Sequence, residues 1–114
     1  MLSGYRFIIN RRGVATVVAQ PDGLVRGVCW AISATELEGL DRKEGVKAGT
    51  YVRVQLTVEC DSGPAVAWVY MASDSSVGTP RIGYLERVLA GAKEHDLPEC
   101  YRDELTSWAP LSML

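Results

Sequence analysis

From Tyr51 to Cys60 the chain alternates between two kinds of residue. Val52, Val54, Leu56 and Val58 fall on one side, and Tyr51, Arg53, Gln55, Thr57 and Glu59 on the other. A period of two is the signature of a half-buried strand. Asp61-Ser62-Gly63-Pro64 then reads as a turn, and the more apolar run Ala65–Ala72, with Trp68 and Tyr70, as the returning strand of a hairpin. Nearer the start, Tyr5–Asn10 and Val14–Ala19 are two β-rich runs separated by Asn10-Arg11-Arg12-Gly13, which predicts another hairpin. Gln20-Pro21-Asp22-Gly23 is a further turn signal. It predicts a third strand over Leu24–Ile32, with Gly27 at a bulge or close approach and Trp30 anchoring the core.

The period changes to helical at Ser33. Ser33-Ala34-Thr35-Glu36 is a capping box, with Ile32 and Leu37 placed as its hydrophobic staple. The helix it opens carries Glu38, Asp41, Arg42 and Lys43 on its outer face and ends at Glu44–Gly45. A polar loop, Ser73–Pro80, precedes a second helix over Arg81–His95, with Thr79 as cap and Pro80 at its first position. Leu85, Val88, Leu89 and Ala92 form its apolar stripe. Pro98 opens a short last helix with Tyr101, Leu105 and Trp108 on one face, and Ala109–Leu114 is a tail. The order β-β-β-α-β-β-α-α predicts one α+β domain over residues 1–114: a small mixed, mostly antiparallel β-barrel or curled sheet with flanking helices.

Composition narrows the function. The chain has 114 residues, of which 47% are hydrophobic and 23% charged, enough for one core. The net charge of −2 argues against nucleic acid and against an anionic membrane surface as partners. No apolar run approaches the ~18 residues of a membrane span, and cytoplasm is the default setting. Cys29, Cys60 and Cys100 are an odd number without close spacing, which argues for reduced thiols rather than a zinc site or a disulfide framework. Arg11 and Arg12 read as a solvated turn tip, and the lone His95 as a helix-end group more than a catalytic base.

The sequence holds no Gly-rich phosphate loop, no Gly-x-Ser-x-Gly elbow and no metal-ligand pair, so chemistry without cofactor or metal is the simplest expectation. Leu40–Tyr51 supplies a candidate for it. Glu44 follows Leu37 and Leu40 at helical spacing and shares their inward face. It also stands at the negative end of the helix dipole, with Gly45 supplying a left-handed stop. Partial burial and the dipole both favour the protonated carboxyl, the condition of a general acid/base.

Four blocks carry a family likeness. They are Gly27-Val28-Cys29-Trp30; Leu40-Asp41-Arg42-Lys43-Glu44-Gly45-Val46-Lys47-Ala48-Gly49-Thr50-Tyr51; Thr79-Pro80-Arg81-Ile82-Gly83-Tyr84-Leu85; and Gly91-Ala92-Lys93-Glu94-His95-Asp96-Leu97-Pro98-Glu99-Cys100-Tyr101. In order and spacing the chain resembles the γ-glutamylcyclotransferase-like family over nearly its whole length. The resemblance implies a small β-barrel with flanking helices. It implies cyclisation of a γ-glutamyl amine or amino acid to 5-oxoproline with release of the amine. It places the catalytic glutamate on Glu44 and the substrate-pocket tyrosines on Tyr51 and Tyr84, for which barrel packing is the plainer alternative.

The family's opening strand and Tyr-Gly-Ser-Asn loop have no counterpart in these residues, and Met1–Arg6 matches the strand that follows them. A missing strand implies open sheet edges, which a second copy of the chain can cover as a homodimer. The departure also motivates an alternative: a catalytically inactive relative that binds a small amino-acid-like ligand or a protein partner. A third reading makes the chain a structural module with Glu44 solvated at its helix end.

Overall fold

Two antiparallel hairpins and three helices follow one another in the computed structural model, which describes residues 1–109. In the first hairpin β1 (Leu2–Ile9) pairs with β2 (Ala15–Val25). Helix α1 (Ala34–Lys43) leads to the second hairpin, β3 (Tyr51–Cys60) with β4 (Gly63–Ala72). Helices α2 (Tyr84–Glu94) and α3 (Glu99–Thr106) complete the order β-β-α-β-β-α-α.

The third strand expected over Leu24–Ile32 does not form. Gln20, Pro21, Asp22 and Gly23 do not reverse the chain. They bulge out opposite the single residue Gly4, and pairing resumes with Leu24 against Ser3 and Val25 against Leu2. Wide bulging lets one strand absorb a turn signal without ending. Arg26–Ile32 is then irregular. A side chain at Gly27 would meet no neighbour, so no close approach explains that glycine. Trp30 is 70% exposed and does not anchor the core.

Each hairpin is a separate two-stranded sheet, so the β-structure is an open, curled arrangement rather than a closed barrel. Hydrogen bonds tie the hairpins together at their ends. Met1 and Glu59 exchange both backbone hydrogen bonds, and the Ala72 N–H donates to the Thr16 hydroxyl. The end of β1 is the most enclosed part of the molecule. Ile8, Ile9 and Asn10 are fully buried, on both faces of the strand at once. α2 and α3 cover one of those faces. Ala92, Tyr101 and Leu105 form a cluster with Phe7, Val88, Leu89 and Leu97 packed on it, and Trp108 meets the Phe7 ring edge-on. The apolar stripe of α2 and the inward face of α3 thus lie where their spacing places them.

α2 starts at Tyr84, three residues after the expected Arg81. Gly83 has φ +79, a left-handed turn that the helix cannot incorporate, so Thr79 and Pro80 lie in the preceding loop. That loop is tied to β1. Gly78 N–H donates to the Ile9 carbonyl, and a Cβ on Gly78 would come within 2.3 Å of the Asn10 carbonyl oxygen. Only glycine permits that approach. The tail expected from Ala109 lies outside the described residues except for Ala109 itself. Among the described residues no helix is long and apolar enough to cross a membrane.

Candidate functional site

The site begins with the way α1 ends. Its start is the capping box read from the sequence: the Glu36 N–H donates to the Ser33 hydroxyl and the Ser33 N–H to the Glu36 carboxylate. Its stop is a Schellman motif. The Gly45 N–H donates to the Arg42 carbonyl and the Val46 N–H to the Asp41 carbonyl, with Gly45 at φ +69. Glu44 is the C-cap residue and is half-buried. The chain then folds back on itself. The Thr50 N–H donates to the Gly45 carbonyl, so Tyr51, the first residue of β3, returns to the end of α1 that Glu44 occupies.

Tyr51 and Tyr84 converge on one residue of β2. The Tyr51 hydroxyl donates to the Ala15 carbonyl at 3.0 Å, and the Tyr84 hydroxyl accepts from the Ala15 N–H at 3.0 Å. Burial pushes the Tyr51 phenol up, and the nearby Tyr84 and Glu44 add to this; Arg12 and Arg81 partly offset it. Glu44, Tyr51 and Tyr84, which are dispersed over forty residues of sequence, therefore share one neighbourhood. A phenol hydroxyl is both donor and acceptor. Tyr84 has spent acceptor capacity on Ala15 and retains its proton to donate outward. Tyr51 has spent its proton and retains lone pairs to accept.

A second layer lies under Glu44. Asp41, expected on the solvent face, is instead turned onto the β3–β4 sheet. Its carboxylate accepts from Arg53 at 2.9 Å and from the Tyr70 hydroxyl at 2.6 Å. The reason is register: Arg53 and Tyr70 are cross-strand partners on one face of the hairpin, and α1 lies over that face. The Arg53 guanidinium also stacks 4.2 Å from the Trp68 ring centroid. Burial, the hydrogen bond to Asp41 and the Asp41 charge push the Tyr70 phenol up to about 12, with a smaller contribution from Glu44. α1 buries none of its residues fully, so this polar contact is a principal tie between the helix and the sheet.

Asn10 is the other residue that pattern reading passed over. Its Oδ1 accepts from the N–H groups of Arg12 and Val14, and its Nδ2 donates to the Asp74 carbonyl. A fully buried side chain thus holds both the β1–β2 turn and the Ser73–Pro80 loop, and sets where Ala15 begins β2. The available signal was an Asn opening a turn that closes on Gly13. Exposed Arg11 pairs with half-buried Asp74 at 3.4 Å, and the Arg12 carbonyl accepts from the Arg81 side chain. His95 caps α2, is exposed, and meets Trp30 edge-on, away from the tyrosine pair in the sequence blocks and in its contacts.

The fold matches solved structures closely. A protein titled gamma-glutamyl cyclotransferase superposes with TM-score 0.87 at 27% identity, over 96% of this chain and 71% of that one. The crystal structure of an uncharacterized protein from Homo sapiens superposes equally well, TM-score 0.87 at 28% identity, with the same coverage. The chain belongs to the AIG2-like family, whose model matches residues 24–105. Among proteins of known name it is similar to the gamma-glutamylcyclotransferases of Bos taurus and Homo sapiens, 34% and 32% identical over 99 residues. Those 99 residues are 86% of this chain and 53% of each relative, so the chain spans about half the length of the relatives it matches.

Proposed function

We propose that the chain is a γ-glutamylcyclotransferase-like domain that converts a γ-glutamyl amine or amino acid to 5-oxoproline and the free amine, with Glu44 as general acid/base and Tyr51 and Tyr84 in the substrate pocket. The observation that supports this reading is the convergence of Tyr51 and Tyr84 on Ala15, close enough to Glu44 for its charge to act on the Tyr51 phenol. The reaction needs no protein nucleophile. The substrate's α-amine attacks its own γ-carbonyl, a C–N bond forms, and the bond to the departing nitrogen breaks. Glu44 takes one proton from the attacking ammonium and delivers it to the leaving nitrogen; the second proton, shed by the ring nitrogen as the lactam forms, passes through solvent to the released amine, so the proton count closes. Orientation of the five-membered ring closure supplies much of the acceleration. The outward proton of Tyr84 suits a carboxylate or carbonyl oxygen of the substrate, and the lone pairs of Tyr51 suit its ammonium.

In this reading the domain acts on a small molecule, in the cytoplasm, without metal or cofactor. An opening strand and loop of the kind the resemblance implies would complete its pocket. The unpaired edges of the two sheets would accept a second copy of the chain, and sedimentation of the purified protein as a monomer would remove that element.

The test is direct. The purified chain is given a γ-glutamyl amino acid and 5-oxoproline is measured. Turnover that Glu44→Gln abolishes with the fold intact supports the assignment, and equal turnover in the variant overturns it. A second reading rests on Tyr51 and Tyr84 both being engaged by the Ala15 backbone, as structural tyrosines are. It makes the chain a non-catalytic relative that binds an amino-acid-like ligand at the same place. Saturable binding of a γ-glutamyl compound without 5-oxoproline release would favour it.

A further inference from the structure

We propose that Cys29 and Cys60 form a thiol–disulfide exchange site: a low-molecular-weight disulfide oxidises them to a reversible intramolecular disulfide that closes the chain around α1. The two residues are 31 apart in sequence, yet their sulfurs are 3.9 Å apart. Both are free thiols, Cys29 exposed and Cys60 half-buried at the end of β3. Bond formation needs the sulfurs to approach to ~2.05 Å. Cys29 lies in the irregular Arg26–Ile32 segment, whose backbone is free of strand or helix pairing and can supply that movement. The pair opens on a cleft of about 580 Å³ lined by Arg26 and the Met1 amino end and also by Glu59, Asp61 and Asp96, which gives a small disulfide access from solvent. A metal is the weaker occupant of two thiols: among the described residues no group of three His, Cys, Asp or Glu side chains is placed to hold one.

The exchange balances without further reactants. The Cys29 thiolate attacks one sulfur of the small disulfide, forms a mixed disulfide and expels one thiolate. Cys60 gives up its proton and attacks the Cys29 sulfur, expelling the second small thiolate. Two protein thiols are oxidised, one disulfide is reduced to two thiols, and the protons released from the cysteines go to the thiolates. Contact with Cys29 and burial hold the Cys60 thiol proton more firmly than usual, which suits its role as the later, resolving group.

The loop so closed runs from Cys29 to Cys60. It contains all of α1, Glu44, the Gly45–Thr50 return and β3. α1 buries no residue fully, so it is the element whose freedom a cross-link would most reduce. In a compartment that keeps thiols reduced, a pair of this kind serves as a transient, sensing disulfide rather than a structural one. The proposal does not depend on catalysis by Glu44.

The full chain, first reduced, is incubated with glutathione disulfide, quenched with an alkylating agent, digested and mapped by mass spectrometry. The expected result is one cross-linked peptide pair joining Cys29 to Cys60, two hydrogens lighter than its reduced parts, with Cys100 outside it. Cys60→Ser is expected to trap glutathione on Cys29 instead. Recovery of Cys29 and Cys60 as separately alkylated or separately glutathionylated residues in the unmodified chain would overturn the site, as would a Cys29–Cys100 pair. Amide exchange along α1 should slow several-fold on oxidation of the unmodified chain and stay unchanged in Cys60→Ser. Unchanged exchange in the oxidised chain would overturn the closure around α1. None of these readouts depends on 5-oxoproline release.

Discussion

Tyr51 and Tyr84 hold the two polar atoms of the same residue from opposite sides. One hydroxyl donates to the Ala15 carbonyl and the other accepts from the Ala15 N–H, each at 3.0 Å. Through that residue the first strand of the second hairpin and the first turn of α2 are locked to β2. The clamp joins three elements, and the charge of Glu44 reaches its Tyr51 phenol.

The clamp should be measurable as stability. Tyr84→Phe leaves the Ala15 N–H without its partner in a half-buried place, a loss of roughly 1–3 kcal/mol. Tyr51→Phe leaves a carbonyl, which tolerates it better, and should cost about 0.5–1.5 kcal/mol. Because both act on Ala15, the double variant should cost less than the sum of the two. Urea unfolding of the four proteins tests this, and strictly additive losses would show that the tyrosines do not work as one clamp.

Tyr70 gives a pH prediction. Its phenol is pushed up to about 12 by burial and the bond to Asp41, above the ordinary value of 10.0. A raised folded-state pKa contributes stability that is fully present below the unfolded value and is lost as pH rises through the folded one. Stability from this group should therefore be flat to about pH 10 and decline between there and about pH 12. In Asp41→Asn the Tyr70 phenol should ionise at lower pH. Ultraviolet difference titration, with Tyr70→Phe to identify the step, reads this. An unchanged high-pH step in Asp41→Asn would show that the carboxylate is not what holds the proton.

The same network shows where sequence reading stops. The capping box of α1 is a local signal and reappears as hydrogen bonds between near neighbours, while the alternation in β3 reappears as burial at Val54, Leu56 and Val58 and fails at Val52, which is exposed. Helix phase turns Glu44 inward, and it is half-buried, whereas only the family likeness singles out Tyr51 and Tyr84. Asp41 reads as solvent-facing because four charged residues on a short helix look like a solvated face. Nothing local reveals that Arg53 and Tyr70 present a complementary face, since that depends on hairpin register and on how α1 lies over it. The false third strand has a similar cause. A Pro-Asp-Gly turn signal is real, but whether it reverses the chain or bulges depends on the partner strand, here on Gly4.

Asn10 tests that tertiary dependence. Asn10→Ala removes two acceptances and one donation at a fully buried position, and should cost at least 1–3 kcal/mol as a rough figure. Asn10→Asp keeps the acceptors for Arg12 and Val14 but loses the donation to Asp74 and buries a charge. It should be more destabilised at neutral pH than in acid, where the carboxyl is protonated and can again donate. Thermal unfolding at two pH values distinguishes the two. Equal losses in Asn10→Asp at both would mean that the side chain reaches solvent.

The final prediction separates chemistry from architecture at the end of α1. Glu44 caps the helix with its backbone, so Glu44→Gln leaves the cap intact and should shift stability by less than about 0.5 kcal/mol. If the carboxyl moves protons, the same change should lower kcat by roughly 10²–10⁴ with little effect on KM. Gly45→Ala makes the opposite kind of change. It leaves the carboxyl in place but forces a side chain into φ +69, within 3.0 Å of the Thr50 hydroxyl, at a cost of about 1–2 kcal/mol. Its activity loss should follow the displaced helix stop and fall on kcat and KM together. Steady-state kinetics beside urea unfolding resolves the pair. A Glu44→Gln protein that loses stability and activity in the proportion Gly45→Ala does would make Glu44 a structural residue. A stable protein without turnover would make it the acid/base.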